Sequence, residues 1–101
     1  MTFAEAINTI INASSRNAIK RPAWGGYVYR GAITAETGAF TLTFKTRSGT
    51  EYVYSFSGSA WTAPSTPLSI DAELMESFLA DDWITGTSTD FEASRSGQGV
   101  W

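Results

Sequence analysis

The sequence predicts an α+β fold, in which a small antiparallel sheet has an N-terminal helix and a second short helix packed against it. Apolar residues recur with the three–four spacing of an amphipathic helix near the start of the chain and again before residue 80. Between these segments, residues 40–45 and 51–56 alternate apolar and polar side chains across a glycine-containing connection, which is typical of a β-hairpin. A length of 101 residues indicates one domain.

The N-terminal helix has a clear start signal. Thr2 and Glu5 have the spacing of a capping box, in which each side chain accepts a hydrogen bond from the other's backbone N–H. Residues 12–17 are polar and break the helical period, so the helix is expected to end there. The apolar stripe before that point consists of Phe3, Ala6, Ile7, Ile10 and Ile11.

The predicted strands follow in order along the chain. Residues 18–20 precede a proline and should be extended, because the residue before proline avoids the helical region. Tyr27–Arg30 is rich in β-forming residues and predicts a strand. Phe40–Lys45 and Glu51–Phe56 form the hairpin, and a polar loop over residues 57–67 comes next.

The second helix is predicted after this loop, with Ser69 as its N-cap. Residues 81–85 then predict a last strand. From residue 86 onward Ser, Thr and Gly dominate, so the compact domain is expected to span 1–85 and residues 86–101 to form a flexible tail. The expected buried face of the second helix consists of Leu74, Met75, Phe78 and Leu79.

Composition restricts the possible chemistry. The chain has no histidine and no cysteine, so it lacks the commonest general base, the commonest metal ligand and any thiolate. We therefore expect no enzymatic activity, no catalytic residues, no cofactor and no metal site. A net charge of −3 argues against direct nucleic-acid binding and against an anionic membrane surface. No stretch approaches the roughly 20 apolar residues of a membrane-spanning helix, so the protein is expected to remain where it is made.

The strongest functional signal is the turn predicted over residues 22–26. Arg21 lies beside it, and a guanidinium can bind a phosphate or carboxylate through two parallel hydrogen bonds. Trp24 offers a flat ring for stacking, Gly26 offers an accessible backbone N–H, and Tyr27 adds a phenol. These groups suit a small anionic aromatic ligand such as a nucleotide.

Each of these side chains also has a purely structural alternative. Trp24 and Trp83 are both candidates for the core, because tryptophan buries a large apolar surface. Arg21 is a candidate partner for Asp81 or Asp82. Trp61, in the predicted polar loop, either fills a gap in the core or lines a pocket.

Three short motifs resemble a family of small phage proteins, the Thoeris anti-defence sponge proteins of the second described type. The motifs are MTFAEAI at residues 1–7, KRPAWGG at 20–26 and LADDWI at 79–84. Members of this family open with a Phe-x-Glu-Ala-Leu helix, continue to an Arg-x-Gly-Trp-Asn-Gly turn and close on an Ala-x-Asp-Trp strand. The resemblance spans most of residues 1–85.

The resemblance implies a function in the cytoplasm of an infected bacterial host. Such proteins sequester cyclic ADP-ribose isomers, which are immune signals, without degrading them. Some relatives also bind cyclic oligonucleotides, and one relative is described as an anti-CRISPR. The family forms homotetramers with pockets shared between subunits. At matching positions the resemblance implies ligand-binding roles for Arg21, Trp24, Gly26, Asp82 and Trp83, while Tyr27 and Trp61 are candidates from the residues alone.

Two other functions remain open from the sequence. The first is a protein–protein inhibitor of a bacterial defence complex, which would use an acidic, aromatic-rich surface. The second is a virion or accessory structural domain, for which residues 86–101 would be the contact segment. A homo-oligomer is expected for the sponge and inhibitor functions, because the aromatic face of the hairpin and the sheet edges need cover in so small a domain.

Overall fold

The computed structural model describes residues 1–97 and 99–101, and it confirms the predicted α+β class. The described residues form one antiparallel sheet with three helices. Along the chain the elements are α1 (Phe3–Asn12), β1 (Ala18–Lys20), β2 (Tyr27–Arg30), β3 (Phe40–Lys45), β4 (Glu51–Phe56), β5 (Trp61–Thr62), α2 (Ala72–Leu79), β6 (Ile84–Gly86) and α3 (Ser88–Ser94). The strand order in the sheet is β5-β4-β3-β2-β1-β6.

Helix α1 starts and ends where the sequence predicts. The Thr2 hydroxyl accepts from the Glu5 backbone N–H at 3.1 Å, and the Glu5 carboxylate accepts from the Thr2 N–H at 2.8 Å. The capping box is therefore confirmed. Ala6 and Ile10 are fully buried on the side of the helix that packs against β1 and β6.

The β3–β4 hairpin is also confirmed. Its register pairs Leu42 with Tyr54 and Phe44 with Tyr52, and Gly49 in the turn has a φ of 101°, a conformation that favours glycine. The sequence predicts Trp61 in an irregular loop. Instead it begins the two-residue edge strand β5, where it pairs with Phe56.

The two faces of the sheet pack against different helices. Because successive strand residues point to opposite sides, Val28 faces the core while its neighbour Tyr27 faces the other side. Helices α1 and α2 cover the core face, and α3 packs against β2 on the opposite face, where the rings of Tyr27 and Phe91 are 6.2 Å apart. The core cluster consists of Ala6, Ile10, Ile19, Trp24, Val28, Leu42, Phe44, Leu74, Trp83 and Trp101.

Helix α2 differs from the prediction at its cap and on its buried face. Asp71, and not Ser69, is the N-cap, and its carboxylate accepts from the Leu74 backbone N–H at 2.9 Å. Leu79 is 79% exposed and Met75 is also exposed, whereas Ser77 is buried. Ser77 faces the core because the buried indole N–H groups of Trp24 and Trp83 need hydrogen-bond acceptors. The Ser77 hydroxyl accepts from Trp24 and the Ser77 carbonyl oxygen accepts from Trp83.

Two segments near the end of the chain also differ from expectation. Residues 81–83 are not in a strand, and β6 begins at Ile84. The predicted flexible tail over 86–101 instead contains α3, which starts because the Thr87 hydroxyl accepts from the Asp90 backbone N–H. Trp101 is only 5% exposed, because its ring stacks on Trp24 within the core. Among the described residues, no helix is long and apolar enough to cross a membrane.

Candidate functional site

Four of the predicted site residues meet around Ser77, a residue of α2. Arg21 Nη1 donates to Ser77 Oγ at 3.1 Å, and Trp24 Nε1 donates to the same oxygen at 3.3 Å. Trp83 Nε1 donates to the Ser77 carbonyl oxygen at 2.7 Å. Asp82 joins the group through Arg21. Ser77 thus links the motif that contains Arg21 and Trp24 to the motif that contains Asp82 and Trp83, which is far from it in the sequence.

Arg21 and Asp82 form a bidentate ion pair. Arg21 Nε lies 2.7 Å from Asp82 Oδ1, and Nη2 lies 3.2 Å from Oδ2. Hydrogen bonds from the guanidinium hold the pKa of Asp82 below its ordinary value, and the pKa of Arg21 is raised by the same contact. The predicted pairing of Arg21 with Asp82 is therefore confirmed. All three guanidinium nitrogens of Arg21 donate to Asp82 or Ser77, so the guanidinium is not directed at open space.

Trp24 and Trp83 both lie in the core, with relative exposures of 6% and 1%. The Trp24 ring packs edge-on against Trp83 at a centroid distance of 4.9 Å. Its other neighbour is Trp101, which stacks on it at 4.7 Å with an interplanar angle of 23°. The structural alternative for Trp24 and Trp83 is thus confirmed. A role for Trp24 in ligand binding remains a prediction, since one ring face is covered only by another indole.

Next to the Trp24 ring, several N–H groups converge on a single oxygen. The backbone N–H groups of Gly25 and Gly26 donate to the main-chain oxygen of Trp101 at 2.6 and 3.1 Å. Arg47 Nε and Nη2 donate to the same oxygen at 3.3 and 3.2 Å. We call these groups of Gly25, Gly26 and Arg47 the donor cluster. Consecutive backbone N–H groups beside a guanidinium are the elements of an anion-binding site.

Glycine is required at this turn because of space. A Cβ on Gly26 would collide with the carbonyl oxygen of Lys45. A Cβ on Gly25 would lie 2.7 Å from Arg47 Nε and 2.9 Å from the Ser96 carbonyl oxygen. Only a bare backbone therefore lets the β3–β4 turn, which carries Arg47, approach the Trp24 turn closely enough to form the donor cluster.

No Asp or Glu side chain is paired with the guanidinium of the donor cluster among the described residues. Within residues 1–97 and 99–101, Arg47 has no Asp or Glu carboxylate at ion-pair distance, in contrast to Arg21, Lys45 and Arg95. Its other hydrogen bond is to the Ala23 carbonyl oxygen at 3.3 Å. A guanidinium forms its strongest hydrogen bonds with anionic oxygens, so Arg47 suits an anionic group.

Tyr27 lies apart from this site, on the opposite face of the sheet. Its hydroxyl donates to Glu92 Oε2 at 2.7 Å, and burial together with this bond raises the pKa of Tyr27 well above its ordinary value. Hydrogen bonds from Arg95, Tyr27 and Lys45 lower the pKa of Glu92 to about 2. Tyr27 also lines an open cleft with Tyr29 and the start of α3. It therefore does not join Trp24 at one site.

Trp61 is also separate from the Ser77 group. It is 52% exposed at the β5 edge, where its ring lies 5.0 Å from Phe56 and 5.6 Å from Phe40. It neither plugs the main core nor contacts the donor cluster. Its exposed aromatic surface is a candidate for contact with another molecule.

The groups around the donor cluster can bind a ligand but are poorly suited to transforming it. Guanidinium and backbone N–H groups are donors that do not exchange protons with a substrate near neutral pH. The described residues contain no cluster of three or more His, Cys, Asp or Glu side chains that could hold a metal ion. The arrangement therefore favours recognition of a ring with an attached anionic group.

Sequence reasoning missed three residues of this region: Arg47, Ser77 and Trp101. Arg47 lies in the predicted hairpin turn, and nothing local in the sequence indicates that its side chain reaches the Trp24 turn. Ser77 has a weak sequence signal, because it directly precedes Phe78, which belongs to the apolar stripe of α2. Trp101 has a clearer one, because a large ring after a polar stretch needs a place to be buried.

The family resemblance rests on short motifs, and the comparisons do not test it. No protein-family model, no curated protein and no solved structure matches this chain. The sponge-protein assignment therefore remains a prediction from the residues around Arg21, Trp24 and Trp83.

Proposed function

We propose that this protein is a non-enzymatic binding protein that captures a cyclic ADP-ribose-type signal and holds it chemically intact. In this proposal it acts as a phage counter-defence protein in the cytoplasm of the infected bacterial host. Cyclic oligonucleotides are a second ligand class of the same kind, since they also combine phosphates with purine rings.

The observation that carries the proposal is the donor cluster beside the Trp24 ring. Two backbone N–H groups and the Arg47 guanidinium donate to a single acceptor, the main-chain oxygen of Trp101. The Trp101 ring stacks on Trp24 at a centroid distance of 4.7 Å, beside that oxygen. A nucleotide presents the same pair of features, a phosphate oxygen and a flat ring.

A nucleotide of this class is expected to raise the melting temperature of the protein. Ligand that binds only the native state stabilises it by about 2.7 kcal/mol at a concentration of 100 Kd. The measurement is a thermal-shift series with cyclic ADP-ribose isomers and cyclic oligonucleotides, followed by denaturation and mass spectrometry of the released ligand. The recovered ligand should have an unchanged mass.

Two arginine variants locate the binding site. Arg47→Gln removes the charge of the donor cluster and should abolish most of the thermal shift. Arg16→Gln is the matched control, because Arg16 is an arginine that contacts Thr85 and lies away from Trp24. The absence of a shift with every nucleotide tested, or recovery of a hydrolysed product, would contradict the proposal.

We also propose that the protein is a homo-oligomer, with a homotetramer as the form that the resemblance implies. The observation that favours association is the outer surface of α2, where Met75 and Leu79 are exposed one helical turn apart. Sedimentation velocity at micromolar concentration should therefore give a mass above that of the 10.9 kDa chain. A single monomeric species across the concentration range would contradict this expectation.

A second candidate function is inhibition of a bacterial defence complex by direct protein contact. The exposed ring of Trp61 at the sheet edge favours it, because tryptophan is enriched among the residues that dominate binding energy at interfaces. Under this function, nucleotides would leave the melting temperature unchanged, and a purified defence complex would co-sediment with the protein in the absence of nucleotide.

A further inference from the structure

Trp101 fills both halves of the proposed binding site. Its ring stacks on Trp24, and its main-chain oxygen accepts hydrogen bonds from Gly25, Gly26 and Arg47 of the donor cluster. We infer that Trp101 is an internal, displaceable occupant of a site for a fused aromatic ring that carries a carboxylate or phosphate. An external ligand of this class then binds only as Trp101 leaves. This inference rests on the location of the proposed site and not on the identity of its natural ligand.

The ring half of the site is defined by two aromatic neighbours of Trp101. The stacking partner Trp24 lies at 4.7 Å, and Phe44 lies edge-on at 6.4 Å with an interplanar angle of 77°. Since Trp101 is 5% exposed, its departure would open a space with the outline of an indole between these rings. A purine is also a fused bicyclic ring, so it suits the same space.

The anion half of the site consists of donors that suit an anionic oxygen. Four N–H groups are directed at Trp101 O, and two of them belong to the charged guanidinium of Arg47. A carboxylate or phosphate offers more acceptor positions and a negative charge for Arg47. The donor cluster therefore favours an anionic ligand.

Trp101 can leave without disruption of a helix or strand. None of residues 95–97 and 99–101 belongs to an element of secondary structure. Beyond the contacts of Trp101 itself, Val100 is exposed and is held through its carbonyl oxygen, which accepts from the Arg47 backbone N–H at 2.7 Å. Apart from its chain neighbours, no described residue places a heavy atom within 4 Å of the position that a Cβ on Gly99 would take. Release of residues 100 and 101 therefore breaks contacts with the Trp24 turn, with the β3–β4 turn and with the Phe44 ring.

The decisive experiment compares wild-type protein with Trp101→Ala, using indole-3-acetate as the probe. Removal of the ring, whose stacking on Trp24 anchors the main-chain oxygen at the donor cluster, should strengthen binding by about 10- to 100-fold, the factor expected if the open form of the wild type is populated at about 1–10%. Isothermal titration calorimetry measures the two dissociation constants. Far-UV circular dichroism and cooperative urea unfolding establish that the variant is folded.

Two comparisons test each half of the site in the Trp101→Ala background. Indole without its carboxylate, or indole-3-acetate with Arg47→Gln added, should bind at least about tenfold more weakly, because the charge-assisted contact is lost. Arg16→Gln added instead should leave binding unchanged. The inference is overturned if folded Trp101→Ala fails to bind indole-3-acetate, or if the wild type binds it equally well.

A second measurement uses the wild-type protein and decides the question if Trp101→Ala does not fold. The chain has four tryptophans, so 5-fluorotryptophan labelling gives resolvable ¹⁹F signals, with the Trp101 signal assigned from Trp101→Phe. Saturation with indole-3-acetate should move the Trp101 signal toward the solvent-exposed shift and perturb that of Trp24. An unchanged Trp101 signal up to the solubility limit of the probe overturns the inference.

The same signals separate this inference from the proposed function. If a cyclic ADP-ribose isomer raises the melting temperature while the Trp101 signal does not move, the proposed function stands and the inference fails. If Trp101→Ala binds indole-3-acetate but no nucleotide stabilises any form of the protein, the inference stands and the proposed function fails.

Discussion

Replacement of Trp83 with alanine is expected to lower the free energy of unfolding by about 3–5 kcal/mol, the range found for loss of a large buried aromatic side chain. Trp83 is 1% exposed and packs against Phe3 at 5.0 Å and Trp24 at 4.9 Å. Its indole N–H also donates to the Ser77 carbonyl oxygen at 2.7 Å. Since the free energy of unfolding of a native protein is about 5–15 kcal/mol, the variant would retain only a small part of its stability. Urea unfolding followed by far-UV circular dichroism measures the change.

Trp61→Ala is the matched control, since it makes the same substitution at a half-exposed ring. Its contacts with Phe56 and Phe40 are aromatic pairs at the sheet edge, so we expect a loss of about 0.5–1.5 kcal/mol. Equal losses for the two variants would show that burial in the core does not distinguish Trp83, contrary to the structure.

Replacement of Ser77 with alanine is expected to cost about 1–3 kcal/mol, the penalty for leaving a buried donor without its acceptor. The lost hydroxyl accepts from Trp24 Nε1 at 3.3 Å and from Arg21 Nη1 at 3.1 Å. Arg21 can turn to water, but the Trp24 N–H is in the buried interior. The higher helix propensity of alanine offsets only a few tenths of a kcal/mol. The carbonyl that accepts from Trp83 is retained, so the loss reports on the hydroxyl alone.

Ser94→Ala provides the control for this serine. Ser94 is exposed on α3 and its hydroxyl donates to the Phe91 carbonyl oxygen, so its removal should change stability by no more than about 0.5 kcal/mol. Near-UV circular dichroism should change for Ser77→Ala and not for Ser94→Ala, because only the first alters the packing of indole rings. A Ser77→Ala protein as stable as the wild type would contradict the role assigned to the Ser77 hydroxyl.

The first two helices and the hairpin were predictable from the sequence, for reasons that lie within a few residues. The reciprocal bonds of Thr2 and Glu5 span one turn, and the alternation of residues 40–45 is a property of a single strand. The pairing of Arg21 with Asp82 or its neighbour Asp81 is also predictable, because an arginine has few possible acidic partners in a chain with sparse charge.

The centre of the candidate site was not predictable in the same way. The sequence identified Trp24 and Gly26, but it assigned Arg21 to the anion, whereas Arg47 contributes the guanidinium of the donor cluster. Arg47 and Trp101 are 54 positions apart, and no periodicity relates their side chains. Tyr27 and Trp61 were grouped with Trp24 by composition, and strand alternation and edge pairing place them elsewhere.

The amino-acid sequence by itself determined the α+β class, the capped first helix, the hairpin and the concentration of aromatic residues with little charge. These features follow from backbone propensity and short-range hydrogen bonds, which act between residues close in the chain. Tertiary structure alone decided that Ser77 would accept from Arg21 and Trp24, and that Trp101 would lie on Trp24 within the donor cluster. Those contacts depend on how the sheet aligns distant turns, since close packing and polar satisfaction in a buried core are set by the whole fold.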